Sequence, residues 1–245
     1  MRKYPKETVP ETAKEQQTDA QTADATGESG KDEESSAEAA SGNYGDKTIG
    51  FVGMTLNNEY HITLANGAKV EAEAKGVKIE VQAGDQHASA DAQLGIIENM
   101  IANKVDGILL VPRSSDGLES ALTKCKEAGI PIINLDTKLT DESLANVGLD
   151  IPFYGTNNYE GAKLAGEYVA KNLRREQRQP YSKGLKGQTN AADRYNGFIE
   201  GAGDTVTVVA EQTANWEVDQ GYTAAQNIIS ANPDVELFFC CNDNM

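Results

Sequence analysis

The stretch TIGFVGM, residues 48–54, is a short and continuous apolar run. Such a run is typical of a strand that is buried on both faces of a sheet. A helical pattern over 58–74 and a second strand-like run over 78–81 follow it directly. This β-α-β unit predicts a parallel sheet covered by helices.

The same alternation continues through most of the chain. It predicts helices at 89–102, 117–128, 155–172, 191–201 and 219–231, and strands at 107–111, 130–135, 144–147, 206–210 and 235–240. One segment interrupts it, because 173–187 reads LRREQRQPYSKGLKG and has no apolar run long enough for a central strand. The chain ends just after a strand, where a doubly wound domain would continue into another helix, so we expect its last part to be incomplete.

In parallel α/β sheets, ligands bind outside the carboxyl ends of the strands. That rule alone selects four segments as candidate ligand-binding loops: 54–61, 111–115, 135–138 and 148–151.

Composition narrows the class of function. The 245 residues carry a formal net charge of −16, which argues against a nucleic-acid partner. No stretch approaches the ~20 apolar residues of a membrane span. The three cysteines (Cys125, Cys240 and Cys241) lack the spacing of a zinc site or a disulfide framework, so we expect buried or half-buried thiols and no cofactor.

Residues 1–46 differ from the rest, being acidic and polar with only isolated apolar residues. Such a segment cannot bury enough apolar surface to offset the entropy of ordering, so we predict a disordered leader. Its charged start resembles that of a signal peptide, but no apolar stretch follows. The leader also suits a spacer between a domain and a membrane anchor, as in a lipoprotein, although the anchor would have to lie upstream of Met1.

Six segments, in order, resemble the ribose-type periplasmic sugar-binding family. They are TIGFVGMTLNNEYH (48–61), ENMIANKVDGILLVP (98–112), AGIPIINLDTK (128–138), GTNNYEGAKLAGEYVA (155–170), GQTNAADRYNGF (187–198) and NPDVELFFCCNDNM (232–245). The resemblance implies an α/β, two-lobed periplasmic-binding-protein-like fold in which each lobe is a parallel sheet flanked by helices. It implies lobes at 47–156 and 157–245, the second incomplete.

The resemblance also implies a ligand site for a monosaccharide or related polyol. Its members would be Asn58, Tyr60, His61, Asp136, Thr137, Arg194, Trp216 and Asn242. Carboxylate, amide and guanidinium groups suit sugar hydroxyls, and flat aromatic rings cover the apolar faces of a sugar ring. Each residue also has a structural interpretation: Asn58 as a helix cap, Asp136 as a turn residue, Arg194 as a surface ion-pair partner and the aromatics as core.

Two positions depart from the family pattern. Thr137 stands where the ribose binders have Arg, and His61 replaces the commoner Phe. Both departures favour a ligand other than ribose itself, such as another pentose, a hexose or a sugar alcohol.

The predicted function is therefore a monomeric solute-binding protein that delivers its sugar to ABC permease subunits, in the periplasm or at the cell surface. A sugar-responsive sensor of the same fold, linked to a chemoreceptor, stays open. A lactose-repressor-like regulator would need a basic helix-turn-helix ahead of Lys47, where the chain is acidic. An enzyme is not expected, because the sequence has no GxSxG elbow, no P-loop and no GxGxxG after a strand.

Overall fold

The computed structural model describes residues 44–84, 90–172 and 188–245, and the backbone of 177–183. The predicted leader, 1–46, lies outside the described residues except for 44–46. Within these ranges, no helix combines the length and the apolar character needed to cross a membrane.

The first lobe is built on a five-stranded parallel sheet with the order β2-β1-β3-β4-β5. Its strands are β1 (Thr48–Gly53), β2 (Lys78–Ala83), β3 (Gly107–Leu110), β4 (Ile132–Leu135) and β5 (Phe153–Tyr154). Its helices are α1 (Glu59–Ala74), α2 (Ala90–Ala102), α3 (Glu119–Ala128) and α4 (Asp141–Val147). The β-α-β prediction for this half of the chain is confirmed.

The core of the first lobe lies on both faces of β1. Phe51 belongs to the apolar cluster on the α1 side, and Val52 to the larger cluster that includes Ile97 of α2 and Leu122 of α3. Neighbouring residues of a strand point to opposite faces, so an uninterrupted apolar run is what a strand covered on both sides requires. Cys125 lies in the larger cluster, where burial raises the pKa of its thiol to about 11.

The second lobe has a three-stranded parallel sheet with the order β7-β6-β8. Its elements are α5 (Asn158–Asn172), β6 (Gln177–Lys183), α6 (Thr189–Ala202), a 3₁₀ turn (Gly203–Thr205), β7 (Val206–Thr213), α7 (Val218–Ala231) and β8 (Phe239–Cys240). Helices α5 and α6 cross closely at glycines. A Cβ atom on Gly166, Gly197 or Gly201 would collide with the backbone of the facing helix.

The sequence prediction was wrong for the segment 173–187. Strand β6 (Gln177–Lys183) lies in the centre of the second sheet, between β7 and β8. A strand pairs through its backbone, so flanking strands can hold a sequence that has no apolar run. Pro180 has no N–H to donate, and the pairing with β7 shifts register between Gln179 and Pro180, as expected for proline at an irregularity.

The predicted strand at 144–147 was also wrong, because these residues form the end of α4 (Asp141–Val147). Thr140 caps this helix by accepting a hydrogen bond from the Ser143 N–H (3.1 Å), and Gly148 ends it in the left-handed conformation. The fifth strand of the sheet is β5, at Phe153–Tyr154. The last predicted strand, 235–240, is likewise shorter and covers only Phe239–Cys240.

Candidate functional site

A cavity of ≈ 490 Å³ lies at the carboxyl ends of strands from both lobes. It is lined by all eight predicted residues: Asn58, Tyr60, His61, Asp136, Thr137, Arg194, Trp216 and Asn242. The predicted ligand residues did not include the other lining residues: Met54, Glu59, Gln188, Asn190, Cys241, Asp243 and Asn244, although Met54 and Glu59 lie within the predicted segment 54–61. Of the four segments that the strand-end rule selected, 54–61 and 135–138 contribute lining residues, whereas 111–115 and 148–151 do not.

Asp136 is the carboxylate of the first-lobe wall. It follows β4 directly and has a φ of 61°, a left-handed conformation that is uncommon for a residue other than glycine. The Tyr60 hydroxyl donates to its Oδ1 (2.9 Å), and the Thr137 hydroxyl donates to its Oδ2 (3.3 Å). Asn134 holds the loop, because its Nδ2 donates to the Thr137 carbonyl (2.8 Å) and its Oδ1 accepts from the Leu139 N–H (2.9 Å).

The first turn of α1 supplies the amide and the two rings on the same wall. Asn58 caps the helix by accepting a hydrogen bond from the His61 N–H (3.0 Å), so its structural role is present in the fold. The Tyr60 and His61 rings meet edge to face, with centroids 5.2 Å apart and an interplanar angle of 78°. Burial lowers the pKa of His61, and the charge of Asp136 partly opposes that shift. For Tyr60, burial raises the pKa, with the Asp136 charge and hydrogen bond acting in the same direction.

Arg194 and Trp216 form the second-lobe wall. The Arg194 Nε donates to Asn158 Oδ1 (2.9 Å), and its Nη1 donates to the Cys241 carbonyl (2.5 Å). Its Cζ lies 5.3 Å from the centroid of the Trp216 ring, a distance at which a cation and an aromatic face attract. Trp216 follows β7 with a φ of 68°, so the backbone on both sides of the cavity is strained at a lining residue.

Asn242 lies just after β8, at the edge of the same wall. Its Nδ2 is 3.5 Å from the Trp216 carbonyl, and its Oδ1 accepts from the Met245 N–H (3.1 Å). Asn242 therefore contacts the indole residue and the chain that follows.

Gln188 and Asn190 are lining residues that sequence reasoning missed. Gln188 joins the lobes: its Oε1 accepts from Trp216 Nε1 (2.7 Å), while its Nε2 donates to the Arg113 carbonyl (3.0 Å) and lies 3.2 Å from Met54 Sδ. Both residues come after the carboxyl end of β6. Since the sequence prediction contained no strand there, the strand-end rule could not select them.

The loop after β3 meets the same region from the first lobe. Ser115 Oγ accepts from the Thr189 N–H (2.9 Å), so the segment 111–115 contacts the start of α6 without lining the cavity. The start of α6 is thereby attached to the first lobe at Arg113 and Ser115.

Comparison with known proteins identifies relatives of this architecture. Residues 49–245 match the family described as periplasmic binding protein domain. A D-ribose/D-allose-binding protein of Pseudomonas aeruginosa is 31% identical over 202 residues, which cover 80% of this chain and 63% of that protein. This chain therefore spans less than two thirds of the length of that relative.

Solved structures similar to this chain also include solute-binding proteins of ABC transporters. A solute-binding protein of an ABC transporter from Burkholderia multivorans, solved with an unknown ligand, has a TM-score of 0.76 at 32% identity and covers 81% of this chain and 71% of its own. Another similar structure is that of a periplasmic solute-binding protein of an ABC transporter from Actinobacillus succinogenes, with bound D-allose. It has a TM-score of 0.74 at 33% identity, and the match covers 81% of this chain and 70% of that protein. These relatives are binding proteins of transporters and are not enzymes.

Proposed function

Because the chain belongs to the periplasmic binding protein family, we propose that it captures a monosaccharide or related polyol between its lobes and delivers it to an ABC importer permease. The relatives named above are sugar-binding and transporter proteins, which supports this role. In keeping with the family, the protein would act outside the cytoplasm. The lobe boundary that we propose, between 156 and 157, agrees with the packing of α5 on α6.

The observation that carries the proposal is the chemistry of the cavity. A carboxylate (Asp136) and hydroxyls (Tyr60 and Thr137) line it from the first lobe, and a guanidinium (Arg194) and an indole (Trp216) line it from the second. Concave sites of this size typically combine aromatic surfaces with a few placed polar groups. Charged and amide groups can donate to and accept from several hydroxyls of one sugar ring.

The position of these groups on two lobes suggests how binding would be signalled. A ligand that contacts both walls favours the arrangement in which the walls are close, so it shifts the population toward a closed state. The permease would then recognise the closed pair of lobes. Lobe closure and a monomeric state are part of this proposal.

The test is a screen of monosaccharides and polyols against the full-length protein by thermal shift, followed by calorimetry on the tightest ligand. Trp216 is the only tryptophan in this sequence and lines the cavity, so binding is expected to change its fluorescence as the ligand contacts the indole. We expect Asp136→Ala to weaken binding by at least ~1.5 kcal/mol, the low end for a hydrogen bond to a charged group.

The matched control is Asp150→Ala, because Asp150 is exposed and does not line the cavity. Its affinity is expected to equal that of the unaltered protein. A protein that binds no sugar or polyol in the screen would refute the proposed function, and an unaltered affinity in Asp136→Ala would remove Asp136 from the site.

A further inference from the structure

A buried glutamine on α2 holds the first-lobe side of a contact between the lobes. Gln93 is fully buried and does not line the cavity. Its Nε2 donates to the carbonyls of Val111 (2.9 Å) and Gly53 (3.2 Å), and its Oε1 accepts from the Arg113 N–H (2.7 Å). A buried amide is costly unless its polar atoms are bonded. Both polar atoms of this one are bonded to main chain at the carboxyl ends of β1 and β3.

The main chain that Gln93 holds is connected by hydrogen bonds to the second-lobe wall. The Arg113 N–H is bound by Gln93, and the Arg113 carbonyl accepts from Gln188 Nε2 (3.0 Å). The Oε1 of Gln188 in turn accepts from Trp216 Nε1 (2.7 Å). Two side-chain amides therefore bind the main chain of one loop residue, and the second of them fixes a ring that lines the cavity. A displacement of Arg113 would move the acceptor of the indole N–H.

The backbone at Trp216 makes this connection important. Asn215 and Trp216 are both left-handed, with φ values of 50° and 68°, and the Glu217 N–H donates to the Ala214 carbonyl (2.8 Å) across them. A tight turn with two left-handed central residues is typical of glycine, asparagine and aspartate, and a tryptophan in it is strained. The local sequence does not favour this position of the indole, so side-chain contacts such as that with Gln188 must hold it there.

We propose that Gln93 is a positioning residue for the ligand site, which it influences through Arg113 and Gln188 without touching the ligand. It fixes the main chain of Arg113, so that Gln188 Oε1 stays where it meets the indole of Trp216. The effect of Gln93 on affinity rests on the proposed function, whereas its effect on the indole requires no ligand. A residue that only joins β1 to β3 would affect stability and leave the second wall unchanged.

Three substitutions in the full-length protein separate the two hydrogen-bonding groups of Gln93. Gln93→Met removes both groups. Gln93→Glu keeps an oxygen that accepts from the Arg113 N–H, whereas Gln93→Lys keeps donors for the two carbonyls and has no acceptor. The last two both place an ionisable group in the core, so each controls for the other, and they carry the test if Gln93→Met does not fold. All three should lower the urea midpoint, because each leaves a buried polar group without its partner.

The decisive measurements are the Trp216 emission without ligand and calorimetry with D-ribose and D-allose. Gln93→Met and Gln93→Lys should change the emission in the direction seen for Gln188→Leu and weaken sugar binding roughly 3- to 10-fold, the range for one hydrogen bond. Gln93→Glu should keep both close to those of the unaltered protein. In the Gln188→Leu background, Gln93→Met should cause no further change in either, because the connection is already broken.

Ser143→Ala is the matched control, because Ser143 is also buried in the first lobe, donates to Glu119 Oε1 (2.5 Å) and does not line the cavity. It should lower the urea midpoint and leave the emission and the affinity unchanged. An unaltered emission in Gln93→Met and Gln93→Lys, an equal change in Gln93→Glu, or additive losses with Gln188→Leu would overturn the inference. Failure of the unaltered protein to bind any sugar or polyol would refute the proposed function instead, and the emission of the variants without ligand would still decide the inference.

Discussion

The two walls of the cavity are supported in different ways. The first-lobe wall rests on a five-stranded sheet with apolar clusters on both faces, and its carboxylate is held by hydrogen bonds from its own lobe. The second-lobe wall rests on a three-stranded sheet, and among the side chains that the structure describes, which do not include those of β6, its apolar clusters lie around Phe198 and around Trp216. Its lining residues depend on close helix packing and on Gln188, which contacts the first lobe. We infer that the first wall is preorganised by its core and that the second is placed by a few specific contacts.

The substitution with the largest expected effect on the second lobe is Gly201→Ala in α6. A methyl group there would collide with the backbone of α5 at Lys163 and Glu167, so the two helices would have to separate. Overpacking of this kind typically costs 1–3 kcal/mol, and contact with backbone places the expected loss at about 3 kcal/mol of the free energy of unfolding. Urea denaturation provides the measurement, and amide exchange should show the loss in α5 and α6 before the first sheet.

Gly161→Ala is the matched control for that substitution. Gly161 lies in α5 with nothing within 4 Å of an added Cβ, so alanine should stabilise the helix by up to ~1 kcal/mol through its higher helix propensity. Equal stability of the two variants would show that the α5–α6 contact is looser than the glycines indicate.

The next effect concerns Gln188, which connects the second wall to the first. Gln188→Leu has a similar size but leaves the buried Trp216 Nε1 without its acceptor and removes the donor to the Arg113 carbonyl. We expect sugar affinity to fall by about 1–2 kcal/mol, because the indole is no longer fixed and an unsatisfied polar group remains. The emission spectrum of Trp216 in the protein without ligand should also change.

Gln226→Leu on α7 controls for the loss of a glutamine as such. Gln226 is exposed and donates to the Tyr222 hydroxyl (3.0 Å), away from the cavity. Gln226→Leu should leave the sugar affinity and the Trp216 emission spectrum unchanged. If Gln188→Leu behaves in the same way, the second wall does not depend on this contact.

The difference between the walls also explains what the sequence could and could not predict. Strand β1 could be predicted from its own residues, because the run around Phe51 and Val52 is apolar enough to indicate burial on both faces. The central strand β6 could not be predicted from its own residues, because its place is set by backbone pairing with β7 and β8. Because β6 was not predicted, the strand-end rule did not select the residues after its carboxyl end. Gln188 and Asn190 were therefore not predicted to line the cavity.

The eight predicted residues that line the cavity were identified in two ways. Asp136 and the first loop follow from the strand-end rule alone, whereas Arg194, Trp216 and Asn242 were placed by resemblance to a family. Nothing local in the sequence indicates that Trp216 has a positive φ value, whereas aspartate is enriched among the few non-glycine residues in that conformation, so Asp136 is the less unusual of the two. Such strain is imposed by the surrounding fold and can be seen only in the structure.

The smallest expected effect is a pH dependence in the first wall, through His61. This side chain is 6% exposed at the N-terminal turn of α1, and burial lowers its pKa below the ordinary value of about 6.5, which applies in the unfolded chain. Above that pH the imidazole is neutral in both states, and its contribution to stability is fully present. As the pH falls through 6.5, the unfolded chain takes up a proton that the folded protein resists, so the free energy of unfolding decreases until the folded pKa is passed. The Asp136 charge opposes the shift, which keeps the effect small.

His61→Gln isolates this contribution, because glutamine cannot take up the proton while every other titrating group is shared by the two proteins. Urea denaturation at pH 7.5 and 5.5 should show a larger loss on acidification for the unaltered protein than for His61→Gln. The first wall would then be slightly more stable while its histidine is neutral, whereas no such dependence is expected for the Gln188 contact. Parallel losses in the two proteins would mean that His61 is protonated as easily in the folded state as in the unfolded chain, and that the core of the first lobe does not extend to this residue.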